Sequence, residues 1–242
     1  MGEPSEALVR YRRTGGRPPS DDEALDVADD GSFTARRTVA GARVGTFAGR
    51  LASGRVEALR EAVDAVRDAH DVQVATPLDG ATEVLEAGGH TTRTGSNERP
   101  TDPWKALVET VRSMLDEDAV ADPLAAIELT ATSREAALTQ AGPAPVEIDL
   151  GSVTLRVVRI DTAGLVLGRW QARLQDAGDE DTAEPPPAWT SAAAGWRATL
   201  PFSHGLELAD GDWLQVWVFA TIRDAAGDGG ERAARLFVAV PG

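Results

Sequence analysis

The sequence contains no cysteine, which excludes disulfides, thiol catalysis and thiolate metal sites. Histidine is nearly as scarce. His70, His90 and His204 are the only three, and no two of them stand at an i,i+4 or His-x-His spacing. A zinc site would have to be assembled wholly by folding, so no metal and no cofactor are expected. Long apolar runs are missing too: stretches such as Leu165-Val166-Leu167 are far short of the roughly 20 residues that span a bilayer. The opening MGEPSEALVRYRR lacks an apolar h-region and predicts no signal peptide, and Glu6 stands where a myristoylation pattern wants Ser or Thr. A cytoplasmic protein is expected. Basic charge is the last shortage. With 24 basic and 39 acidic residues the net charge is −15, and both halves are acidic. Phosphate binding needs a positive field, so nucleic acid is not an expected partner. Lys105 is the only lysine and Asn97 the only asparagine, a bias toward Arg, Ala, Gly and Asp that fits a high-GC bacterial genome.

What is present organises the chain into two halves. Aromatic residues up to position 121 are Tyr11, Phe33, Phe47 and Trp104, whereas most of the tryptophans lie beyond it. Together with a change of pattern, this predicts an α+β domain over 1–120 and an all-β domain over 121–242. In the first, Ala7–Arg12 reads as a strand with Val9 and Tyr11 on one face and Arg10 and Arg12 on the other. Strands over Ala24–Ala28 and Phe33–Val39 flank Asp29-Asp30-Gly31, a hairpin signal. Arg43–Phe47 adds a short strand. Val56, Leu59, Val63 and Val66 recur at helical steps behind Ser53, which reads as an N-cap for a helix over Gly54–Ala69. Strands Val72–Ala75 and Thr82–Glu86 precede a second helix. Asp102-Pro103 marks its start, and it carries Trp104, Leu107, Val108, Val111 and Leu115 on one face.

The second half predicts no helix. Seven short strands, beginning at Ala125–Thr132 and ending at Arg235–Val240, suggest an immunoglobulin-like sandwich. Val146–Leu150 and Val153–Ile160 read as two of them, separated by the turn signal Gly151-Ser152. The acidic, proline-rich segment 176–193 reads as a long exposed loop.

Candidate chemistry is sparse. Ser203-His204 lacks a Gly-x-Ser-x-Gly frame and a strand–turn–helix elbow, so it predicts no hydrolytic triad. Asp179-Glu180-Asp181 lacks the calcium-loop spacing and reads as a solvated loop. Gly41, Gly45 and Gly49 do not follow a strand as Gly-x-Gly-x-x-Gly and read as turn geometry. Trp213 and Trp217 share one strand face. They read as the inward aromatic face of a sandwich, with sugar stacking as the alternative. Trp189, behind Pro185-Pro186-Pro187, is either a partner anchor in an exposed loop or a cap folded back on the sandwich.

LVRYRRTGG at 8–16, LDVADDG at 25–31, the helix around Val56–Val66, the strand pair near Val72–Glu86 and the closing PWKALV at 103–108 carry a family resemblance. In residues 6–117 the chain resembles emfourin, the small bacterial inhibitor of protealysin-type, thermolysin-like metalloproteases, and the actinobacterial emfourin-like proteins. The resemblance covers a little under half the chain and implies a small, somewhat cystatin-like α+β unit. Where relatives tend to carry an apolar GGFAGL-like loop, this chain has Gly15-Gly16-Arg17-Pro18-Pro19-Ser20. A glycine-led, proline-stiffened loop holds a fixed shape and binds without a large ordering cost.

The expectation is therefore a non-catalytic protein-binding module, which the resemblance specifies as a proteinaceous inhibitor of a thermolysin-like metalloprotease. The alternative is a structural or adaptor subunit of a larger bacterial assembly. The partner is another protein, and the candidate contact residues are Gly15, Gly16, Arg17, Pro18, Pro19 and Trp189.

Overall fold

Alternation of apolar and charged residues in ALVRYRRT makes a strand with two unlike faces: Val9 and Tyr11 are fully buried and Arg10 stays exposed. The computed structural model describes residues 7–15, 22–73, 81–95, 100–173, 190–192, 197–201, 205–224 and 229–240. The described residues are mostly β, with two short α-helices. The elements begin β1 (Ala7–Thr14), β2 (Glu23–Ala28), β3 (Ser32–Arg37), β4 (Val39–Ala40), β5 (Arg43–Arg50), α1 (Ser53–Val66), β6 (Val72–Gln73), β7 (Thr82–Ala87), β8 (His90–Gly95) and α2 (Trp104–Ser113). A π-helical turn at Met114–Asp118 and a 3-10 turn at Ala119–Ala121 follow. Then come β9 (Pro123–Ala131), β10 (Glu135–Ala141), β11 (Val146–Ile160), β12 (Val166–Arg173), β13 (Thr190–Ala192), β14 (Arg197–Pro201), β15 (Trp213–Arg223) and β16 (Gly229–Ala239).

Contacts divide the chain into two units, Met1–Thr38 with Thr46–Leu124 and Val39–Gly45 with Ala125–Gly242. The assignment of 39–45 differs from the sequence expectation for a local reason. Ala42 O accepts the Leu129 N–H at 2.7 Å, Gly41 O accepts the Arg235 N–H at 2.8 Å, and β4 pairs in parallel with β16. These backbone bonds tie a segment from the first half to strands of the second, and no composition rule foretells them.

In the first unit the strands run in the order β5-β3-β2-β1-β7-β8-β6. Their inner face carries Val9, Tyr11, Leu25, Val27, Phe33 and Leu85, all buried, and α1 contacts β1 as well as α2. The helical faces are as the spacing predicts: Val56, Leu59, Val63 and Val66 are buried in α1, and Trp104, Leu107, Val108 and Val111 in α2. Each such side chain contributes roughly 1.5–3 kcal/mol when fully buried. The caps are not as predicted. Ser53 is the first helical residue, Ala52 occupies the N-cap, and neither helix has a side-chain cap bond. Strand β8 begins at His90, directly after a turn at Gly88-Gly89, and was not foreseen: Ala87 pairs with His90, and the hairpin runs on to Thr82 opposite Gly95.

The second unit contains two sheets. One holds β14-β10-β9, and the other runs β12-β11-β15-β16-β4 with β13 also paired to β11. Both feed one apolar cluster, Ile127, Leu129 and Leu138 from the first and Ile148, Leu155, Val216 and Val218 from the second among them. The two strands expected over 146–160 are one long strand. Its pairing with β15 shifts register between Asp149 and Thr154, where the Ser152 hydroxyl donates to Asp149 O and accepts the Thr221 N–H, both at 2.7 Å. Those bonds let the chain pass the irregularity without turning. Alanine-rich β10, EAALTQA, has no β-branched signal apart from Thr139 and escapes pattern reading. Gly45 lies in a strand and not in a turn. Its φ is +137°, and a Cβ there would sit 2.4 Å from Ala125 O, so glycine is needed for two backbones to approach.

Candidate binding surfaces

The glycine loop singled out in the sequence joins β1 to β2, which pair antiparallel with Arg13 opposite Glu23. Gly15 closes the stem at φ +106°, a value that favours glycine, and its N–H donates to Asp22 Oδ1 at 3.3 Å. Asp22 is held in turn by Thr38, whose hydroxyl accepts the Asp22 N–H at 2.8 Å and whose N–H donates to Asp22 O at 2.9 Å. Glu23 receives Arg37 at 2.7 Å and Arg13 at 3.5 Å, and Arg37 also reaches Asp116 at 2.8 Å. The base of the loop is thus fixed by side chains from several elements. Gly16, Arg17, Pro18, Pro19 and Trp189 lie outside the described residues.

Among the described residues the histidines form no site of their own. His90 Nδ1 stands 3.2 Å from Asp71 Oδ1 at an exposed position. The Asp71 carboxyl is held below the usual carboxylate range, first by the Thr91 N–H and then by His90. His70 O accepts the Trp104 indole N–H at 3.2 Å. His204 lies outside the described residues, as do Ser203 and Asp179-Glu180-Asp181. Among the described residues no three or more His, Asp or Glu side chains are grouped to hold a metal ion.

Two sheet faces present charge to solvent, and they differ in one respect. In the first unit a depression of about 640 Å³ is lined by Arg10, Arg12, Asp26, Thr34, Val84 and Glu86. Its arginines are neutralised within the face: Arg12 takes both Asp26 oxygens at 2.7 and 3.0 Å, and Arg10 lies 3.6 Å from Glu86.

The outer face of the second unit's β12-β11-β15-β16 sheet is built otherwise. Leu214, Val216, Val218, Ala220 and Ile222 point into the core, so the odd positions of β15 face outward. The expectation of inward tryptophans is corrected here. Trp213 is 45% exposed and Trp217 is only half-buried, because the β-branched residues of the opposite parity fill the core. Register places Arg156 and Arg235 on either side of Trp217, and Phe237 opposite Gln215. The rings and guanidinium groups then form a continuous series of contacts. The Arg156 Cζ lies 4.9 Å from the Phe219 ring centre, and Phe219 stacks on Trp217 at 5.8 Å with planes 10° apart. The Arg235 Cζ lies 5.0 Å from the Trp217 ring and 5.6 Å from that of Phe237. Beside this series a depression of about 480 Å³ is lined by Arg156, Arg169, Trp170, Gln171, Gln215 and Trp217. Among the described residues no carboxylate forms an ion pair with Arg156, Arg169 or Arg235.

Sequence reasoning missed this surface. Its signal was the parity of WLQVWVF, with aliphatic residues on one face and Trp, Gln, Trp and Phe on the other, but the arginines join it only through register with β11 and β16. No protein-family model matches the chain, and no curated protein matches it in sequence.

Proposed function

We propose that this chain is a non-catalytic protein-binding module and that its contact surface is the outer face of the β12-β11-β15-β16 sheet. In this reading the second unit is an immunoglobulin-like sandwich, the first is an emfourin-like unit, and the protein works in a bacterial cytoplasm. The supporting observation is the series Arg156, Phe219, Trp217, Arg235 and Phe237 on one sheet face, buried at Phe219 and exposed at Arg235 and Phe237. Trp and Arg are the residue types that carry most of the energy at protein interfaces, and half-exposed Trp217 and Phe237 offer apolar area to a partner. A photo-crosslinking side chain at Gln215, which faces outward among them, tests the reading in the full-length chain in its native host. A discrete adduct, lost when Trp217→Ala or Phe237→Ala is added, is the expected result. No adduct, or one unaffected by both changes, overturns it.

A second reading is inhibition of a thermolysin-like metalloprotease by the β1–β2 loop, and the braced stem at Gly15, Asp22 and Thr38 favours it. Inhibition at micromolar concentration, weakened at least tenfold by Gly15→Val, supports that reading. An uninhibited protease removes it and leaves the adaptor role with contacts elsewhere.

A further inference from the structure

We propose that the outer face of the second unit takes an extended acidic segment of the partner protein, its carboxylates meeting Arg156 and Arg235 and an apolar side chain lying on Trp217 and Phe237. The proposal rests on the reading of this face as a protein contact and adds the chemistry of what it contacts.

Three observations carry it. The first is where guanidinium groups find partners in this molecule. Arg12, Arg37, Arg43, Arg50 and Arg159 each meet a carboxylate of the chain within 3.1 Å, as an excess of acidic residues makes easy. Arg156 and Arg235 instead meet aromatic rings. A ring occupies the face of the guanidinium plane and leaves its in-plane N–H donors available. That fork fits a carboxylate bidentately.

The second observation is the composition of the surrounding rows. Paired positions across the sheet are Val158, Gln215 and Phe237 in one row, and Arg156, Trp217 and Arg235 in the next. Gln171 extends the second row and Arg169 the first, with no acidic residue in either. In a chain of net charge −15 this is a local positive field on apolar ground.

The third is spacing. Arg156 and Arg235 stand two strands apart, on β11 and β16. Adjacent strands are about 4.8 Å apart, which makes a gap of about 10 Å. An extended segment in the polyproline II form has three residues per turn and advances about 3.1 Å per residue, so carboxylates three residues apart lie on one side of it at about that distance. An uncharged sugar would stack on Trp217 but leave both guanidinium forks unmatched. A nucleic acid brings a phosphate with every nucleotide toward a strongly acidic protein, whereas a segment with two or three carboxylates meets far less of that repulsion.

The test uses the full chain and four labelled probes in fluorescence anisotropy: a twelve-residue peptide of Glu-Thr-Leu repeats, its Gln-Thr-Leu counterpart, a twelve-nucleotide oligothymidylate and cellohexaose. The glutamate peptide should bind at least tenfold more tightly than the other three and weaken as salt rises. Arg156→Gln and Arg235→Gln should each weaken it at least fivefold. Arg134→Gln removes the same charge from an exposed turn outside this sheet and should change it less than twofold. Equal binding of the glutamine peptide, an equal effect of Arg134→Gln, tighter binding of the oligonucleotide or the sugar, or no binding at all overturns the proposal. Unchanged melting of the variants shows that folding is not the cause. If the Gln215 adduct survives both arginine changes but is lost in Trp217→Ala, the face is a protein contact and the acidic segment is wrong. If no adduct forms, the contact reading itself has failed.

Discussion

The Tyr11 hydroxyl donates to Glu83 Oε1 at 2.6 Å from the neighbouring strand, with both residues closed off from solvent. Arg112 completes the group from α2, its Nε and Nη2 each 2.9 Å from a Glu83 oxygen. The chain's single tyrosine thus pins the first unit's sheet to its second helix through one shared carboxylate.

This group makes a titration specific. Burial, then the charge of Glu83, pushes the Tyr11 phenol above its usual range. Its stabilising contribution is complete below the unfolded value near 10. It is lost as the pH rises, because the unfolded tyrosine gives up its proton first. Absorbance at 295 nm should show no phenolate in the folded protein at pH 10, and stability should fall from there upward. Tyr11→Phe should cost about 1 kcal/mol and remove that alkaline slope. Arg112→Leu should cost roughly 2 kcal/mol, below the figure for a fully buried pair because Arg112 is half exposed.

Glycines that look alike in the sequence should differ in urea unfolding. Gly45→Ala drives a Cβ into Ala125 and Ala126 and should cost at least about 2 kcal/mol. Gly41→Ala meets nothing within 4 Å and should be near neutral. Gly54→Ala, in the first turn of α1 with open space around it, should stabilise by up to about 1 kcal/mol.

At the loop stem, Asp22→Ala removes the acceptor for the Gly15 N–H but leaves the backbone bonds to Thr38. A loss of about 1 kcal/mol is expected, together with faster proteolytic nicking between residues 15 and 22. Nicking no faster than in the wild type would show that Asp22 does not fix the loop base.

Asp212 gives the acid limb. The Ala209 N–H, and after it Arg159 at 2.6 Å, holds its carboxyl below the usual range. The contribution is present above the unfolded value near 4 and lost as the pH falls through the lowered one. Asp212→Asn should lower the stability at pH 7, where the ionised carboxylate accepts the Ala209 N–H and pairs with Arg159. The difference from wild type should shrink toward pH 2. A gap independent of pH would show that the ionised carboxylate is not what stabilises the Ala209–Asp212 turn.

The parity of Val9 and Tyr11 against Arg10 and Arg12, the helical repeat of Val56, Leu59, Val63 and Val66, and the Asp-Asp-Gly turn before β3 were all decided by the sequence. Each depends on one local period matched to one local geometry, and a short window contains that information. The lack of cysteine and the acid excess likewise set bounds that no fold could alter. Tertiary structure decided the rest. Whether Trp217 faced the core or the solvent depended on Val216 and Val218 filling the cluster first, since either parity gave an apolar strand face. Residues 39–45 joined the second unit through backbone bonds to Leu129 and Arg235, residues more than 80 positions away. Arg156 and Arg235 met around Trp217 only when β11, β15 and β16 fell into register. That register is set by the summed packing of many distant side chains, which no window of the chain records.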